Sequence, residues 1–135
     1  MSYNDTFKKI TDKTYELVKR KVPDIRFPCY GVRFYTFALL LYNEYVHFYL
    51  TSDSIIYTAS SVYLTEIPFA QIKKLSIKQG KFFKRAYDIR LVADKKYHFQ
   101  ISGHKNFSTD LTGDSMENVR NFIETLQAGV GNNNA

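Results

Sequence analysis

The sequence predicts a mainly β (α+β) domain: about seven antiparallel strands forming a barrel or sandwich, capped by a C-terminal helix and preceded by an extra N-terminal helix. Three observations lead there. The chain of 135 residues carries eleven Tyr and eleven Phe and no Trp, and aromatic side chains suit a pleated, half-buried surface. From Gly31 onward the apolar period changes from helical to alternating. Both ends of the chain keep the helical period. A chain of this length needs only one core, and no internal repeat divides it.

Residues 4–21 are expected to form an amphipathic helix. Phe7, Ile10, the Thr14 methyl, Leu17 and Val18 recur at helical spacing, with Lys8, Lys9, Asp12, Lys13, Glu16 and Lys19 on the wet side. Asn4 or Asp5 can accept a bond from the first free N–H groups. Pro23 biases Val22 away from helical geometry and ends the helix by about Lys21. With Pro28, this makes Val22–Cys29 a connector.

The run Phe34–Tyr42 suits a strand covered on both faces, with a short buried helix as the alternative. Tyr45–Leu50 and Ile55–Ala59 flank the turn formers Thr51-Ser52-Asp53-Ser54 and read as a hairpin. Val62–Ile67 is a further strand, stopped by Pro68. Leu75 and Ile77, then Tyr87, Ile89 and Leu91, then Tyr97, Phe99 and Ile101 all fall on odd positions. Charged and polar residues fill the even ones. Successive strand side chains point to opposite faces, so this is a three-stranded meander, greasy inside and charged outside. Gly80–Arg85 is its longer loop and Ala93–Lys96 its tight turn. Gly103–Gly113 reads as polar and irregular. Asp114 with Glu117 has capping-box spacing, and Met116, Val119, Phe122, Ile123 and Leu126 form the apolar stripe of a last helix. Gly129 is a fitting stop, leaving residues 129–135 as a flexible tail.

Certain stretches resemble the pleckstrin-homology-like superfold, and more closely its GRAM and bacterial pleckstrin-homology branches. Tyr49-Leu50-Thr51-Ser52-Asp53-Ser54-Ile55-Ile56-Tyr57 is similar to the family's strand–LT(S/N)D–strand hairpin. The stretch from Glu66 to Leu75 is similar to its "IP-aromatic-x-x-I-x-x-hydrophobic" pattern, with Pro68 breaking one strand and Ile72 anchoring the next turn. Tyr87–Ile101 followed by Asn118–Leu126 resembles its usual ending. The resemblance covers about residues 30–128 and implies the helix-capped barrel. It leaves the ligand open, because this fold hosts phosphoinositide binding, peptide binding and scaffolding. The basic pattern that lipid-binding members place on their first hairpin is missing from Arg33–Tyr42.

Composition narrows the function classes. The lone cysteine, Cys29, excludes an intrachain disulfide, and no apolar stretch follows the N-terminal charges as a signal peptide would. The longest lipid-like run has nine residues, Phe34–Tyr42, short of the roughly twenty that a spanning helix needs. A cytoplasmic protein is expected, with the inner face of the membrane as one location for it. The net charge of +6 is concentrated in residues 72–106, which hold ten Lys/Arg against two Asp/Glu. There Lys78, Lys81, Lys84 and Arg85 surround Phe82 and Phe83, a pattern that fits phosphate groups on lipid or nucleic acid. Lys74, Arg90 and Lys96, with His98, extend the patch across the outer sheet face.

No nucleophile elbow, phosphate loop or dinucleotide motif occurs, and His47, His98 and His104 share no metal-ligand spacing with Cys29. No catalytic residue, metal or cofactor is therefore expected. Phe7, Ile10 and Leu17 are the self-association candidates. The resulting expectation is a non-enzymatic interaction module that recognises protein or self-associates as a homo-oligomer. Its alternatives are anionic-lipid binding through the Gly80–Arg85 hairpin, then nucleic-acid binding by the same surface.

Overall fold

The computed structural model describes residues 3–37, 40–80, 86–102, 108–109 and 113–133. Helix α1 (Tyr3–Lys21) leads into strands β1 (Arg26–Phe37), β2 (Leu40–Leu50), β3 (Ser54–Thr58) and β4 (Thr65–Pro68). A single 3-10 turn, Phe69–Gln71, precedes β5 (Lys74–Gln79), β6 (Ala86–Val92) and β7 (Lys96–Ser102). The chain ends with a short ladder of β8 (Ser108–Thr109) and β9 (Gly113–Asp114), then α2 (Ser115–Asn133). The seven long strands form one antiparallel sheet in the order β4-β3-β2-β1-β7-β6-β5. It curls into a half-barrel, and α2 lies against the concave face.

The alternating residues behave as strand geometry requires. Ile89, Leu91, Tyr97, Phe99 and Ile101 are buried on the inner face, against Phe48, Leu50 and Tyr57 from the other half of the sheet. Met116, Val119, Phe122, Ile123 and Leu126 of α2 are all buried in the same core. The rings interlock edge-on: Phe48 meets Phe99 at 5.0 Å and Phe122 at 6.3 Å between centroids. Edge-to-face contact is the arrangement that the ring quadrupoles favour.

The Thr51–Ser54 turn is held by its own side chains. The Thr51 hydroxyl donates to Asp53 Oδ1 at 3.0 Å and accepts from the Asp53 amide at 3.3 Å. The Phe69 amide donates to the Asp53 carbonyl at 2.8 Å, tying the turn to the segment after Pro68. The two motif stretches of the sequence thus meet in space.

Several expectations are corrected. Phe34–Tyr42 is not one strand but the far end of a hairpin, with Phe34 opposite Asn43 and Phe37 opposite Leu40. An apolar run without Gly, Pro, Asn or Asp gives no sign of a reversal. The Val22–Cys29 connector is shorter than expected, because β1 already begins at Arg26. It takes Pro28 into a bulge between Arg26 and Cys29, where Phe27 has a φ of 55°. The 129–135 tail is helix as far as Asn133, with Val130 buried. Gly129 is needed for close packing rather than as a stop, since a Cβ there would lie 2.6 Å from the Phe69 ring. Part of the polar Gly103–Gly113 stretch is also ordered, as Ser108 pairs with Asp114 and Thr109 with Gly113. The helix start falls directly after Asp114, as the capping spacing predicts.

Helix α1 docks on the convex side of its own sheet. Val18, with Tyr15 and Val22, packs on Tyr49, Ile56, Ile25 and Leu64. The Lys21 ammonium donates to the carbonyls of Ser61 and Val62 at 3.2 and 2.9 Å, fastening the C-terminal end. Buried Thr11 and Val18, with half-buried Tyr15 and Val22, follow one helical stripe. It is rotated from the expected one, so that Ile10 is 53% exposed and Leu17 half-buried. The Phe7 side chain lies outside the described residues.

Candidate functional site

The outer face of β1, β7, β6 and β5 carries a group of charged and aromatic side chains. Antiparallel pairing aligns Phe34, His98, Arg90 and Ser76 in one row across these four strands. Lys96, Val92 and Lys74 form the adjacent row on one side. Gln100, Asp88 and Lys78 form the row on the other. Side chains opposite each other on antiparallel strands share a face, so the register alone brings all of these together.

The first two rows surround a concavity of about 880 Å³ lined by Phe34, Lys74, Ser76, Arg90, Lys96 and His98, among others, with the third row beside it. That size lies within the range of small-ligand sites. Asp88 organises one side of it. Its carboxylate is 2.5 Å from His98 Nε2 and 3.3 Å from Arg90 Nε. The Phe34 ring covers His98, with centroids 4.7 Å apart. Lys74, Lys78 and Lys96 are exposed and have no carboxylate within 4 Å among the described residues. Arg90 is 68% exposed at its side chain. Set against the single Asp88 charge, four permanent cations leave the face strongly positive.

The extension residues Lys74, Arg90 and Lys96 are thus brought together, with Lys78 one row away. Lys81, Phe82, Phe83, Lys84 and Arg85 lie outside the described residues, between Gly80 and Ala86, whose backbones are joined by a 2.9 Å hydrogen bond. Sequence reasoning did not find Phe34 as part of the face. Its even position places it on this side only once β1 is paired with β7. Tyr45 lies on the same face of β2 as His47 and Tyr49. It is 61% exposed and stacked on Tyr30 at 6.0 Å, one strand beyond Phe34.

Other chemistry-bearing groups are in quieter surroundings. Cys29 is buried, its thiol pKa is pushed up by desolvation, and Sγ donates to the Phe27 carbonyl at 3.3 Å. Such a thiol is a poor nucleophile. His47 is buried beside Tyr30, and desolvation lowers its pKa to about 4. No three His, Cys, Asp or Glu side chains are grouped to hold a metal among the described residues. No described helix is long and apolar enough to cross a membrane.

No protein-family profile matches the chain, and no curated protein matches its sequence. Among solved structures it is similar to the C-terminal domain of an unknown protein from Leishmania infantum. The match has a TM-score of 0.51 and 9% identity, covering 88% of this chain and 96% of that one. At that identity the likeness concerns the fold alone.

Proposed function

We propose that this protein is a non-enzymatic, pleckstrin-homology-like interaction module that holds an anionic, phosphate-bearing group on the outer face of β5–β7. One observation carries the reading: Lys74, Arg90 and Lys96 converge on one concavity, while Asp88, the acidic side chain in the rows of this face among the described residues, is already engaged by His98 and Arg90. Two of these cations have no carboxylate partner among the described residues, so an arriving phosphate would not have to displace one of those. The order of strands and the helix on the inner face support the superfold resemblance, with the Thr51–Ser54 turn as its best-formed motif.

The test is a titration of the full chain with inorganic pyrophosphate, followed by amide chemical shifts. The expected shifts centre on Lys74, Arg90, Lys96 and His98. They should weaken steeply with salt and vanish in a Lys74→Ser, Arg90→Ser, Lys96→Ser variant that melts near the parent temperature, since exposed charges add little to stability. Shifts that are scattered over all lysines, or unchanged in the triple variant, would overturn the proposal.

A further inference from the structure

The positive face continues into an aromatic one. Across β2, β1, β7, β6 and β5 one row reads Tyr45, Val32, Gln100, Asp88, Lys78, and the next reads Asn43, Phe34, His98, Arg90, Ser76. Rings therefore occupy one side of the sheet face and cations the other. Strands lie about 4.8 Å apart, so the five-strand span is about 19 Å. Tyr45 rests on Tyr30 with its ring plane within 6° of parallel, and it remains mostly exposed. Phe34 is braced by His98 at the edge of the concavity.

We infer that the occupant of this face is a single-stranded nucleic acid, with bases stacking on Tyr45 and Phe34 and phosphates meeting Lys74, Lys78, Arg90 and Lys96. The inference rests on the anionic-site reading above and names the partner class for that site. The chemistry of the face matches that polymer on two counts. Flat rings laid along a sheet take flat bases of any sequence, and a neighbouring strip of cations tracks the backbone. A duplex keeps its bases stacked inside and offers the rings nothing. A bilayer matches less well, because its headgroup plane is flat at this scale and Lys74, Arg90 and Lys96 line a concavity. The rings here also lie along strands in mid-sheet, where they form no protruding apolar tip.

The experiment is fluorescence anisotropy of the full-length protein with a labelled oligo-uridine strand and its duplex with oligo-adenine, alongside co-sedimentation with phosphatidylcholine vesicles containing phosphatidylserine. Binding to the single strand is expected to exceed binding to the duplex. It should fall about tenfold for each of Tyr45→Ala and Phe34→Leu, the lower end of a base–ring stack. Log affinity should fall with log salt at a slope near −3, for about four neutralised phosphates. The Tyr45→Ala variant, which lies outside the concavity, should keep the pyrophosphate shifts. Tyr45 is exposed and Leu retains apolar volume at Phe34, so both should fold.

Equal affinity for duplex and single strand, no loss in either ring variant, or vesicle binding without oligonucleotide binding would each overturn the inference while the anionic site stood. Absence of pyrophosphate shifts and of single-strand binding together would remove both.

Discussion

His47 sits on the outer face of β2, buried against Tyr30, and desolvation lowers its pKa to about 4 from an ordinary 6.5. Between those values the unfolded chain binds the proton and the folded chain does not. Stability therefore falls as pH drops through that window, by at most about 3 kcal/mol for this one group. His47→Gln is expected to flatten the pH dependence of the denaturant midpoint between about pH 6.5 and pH 4. An unchanged slope would assign the acid sensitivity elsewhere. Arg33 shows the opposite arrangement, a charge held inside the curl by rings. Its Nη1 donates to the Tyr57 hydroxyl at 2.6 Å, and its guanidinium lies 4.1 Å from the Tyr35 ring centre and 4.9 Å from that of Tyr97. Tyr35 and Tyr97 in turn donate to Glu44 and Asp94. Burial together with the Glu44 hydrogen bond pushes the Tyr35 pKa up to about 12. Arg33→Lys should cost about 2 kcal/mol in chemical denaturation despite keeping the charge, because an ammonium has no planar face to lay on these rings. A near-neutral effect would mean that the rings contribute nothing beyond packing.

At the level of elements, the two glycines of α2 make a matched pair. Both occupy helix positions at which Ala is intrinsically better by up to about 1 kcal/mol. A Cβ at Gly131 would meet nothing within 4 Å, whereas one at Gly129 would press on the buried Phe69 ring. Gly131→Ala should therefore raise the melting temperature slightly, while Gly129→Ala lowers it, since overpacking a core commonly costs about 1–3 kcal/mol. Two substitutions moving in the same direction would contradict this packing. A similar constraint governs Gly31, where a Cβ would stand 2.0 Å from the Gln100 carbonyl oxygen across the β1–β7 pair. These roles were not legible in the sequence. A glycine required by a neighbour's ring looks the same in one dimension as a glycine that ends a helix. The α2 stripe and the β5–β7 meander were legible, because each is written in a local period that burial then obeys. The β1–β2 reversal was hidden because both arms of the hairpin are apolar.

In the whole molecule, the candidate site was half visible. Alternation along β5, β6 and β7 already placed Lys74, Arg90, Lys96 and His98 on one face. Phe34 and Tyr45 joined them only through the pairing of β1 with β7, a contact between residues more than sixty positions apart that leaves no local mark. The same sheet also uses its convex side for a purely structural purpose, further along β2 and β3. There α1 covers Tyr49 and Ile56, which would otherwise stand open to water, and burying each such side chain is worth roughly 1.5–3 kcal/mol as an upper figure. A helix of this length is marginal alone in water, so its order depends on that docking. The docked helix belongs to the same chain. The melting temperature of the full chain is expected to stay constant over roughly a hundredfold range of protein concentration, since only association makes it concentration-dependent. Removal of residues 1–22 should lower it by several degrees and create binding of a hydrophobic dye at the uncovered β2–β3 face. A melting temperature that climbs with concentration would mean that α1 covers a neighbouring molecule's sheet, and Ile10, already 53% exposed, would then be the first contact to replace with a charged residue.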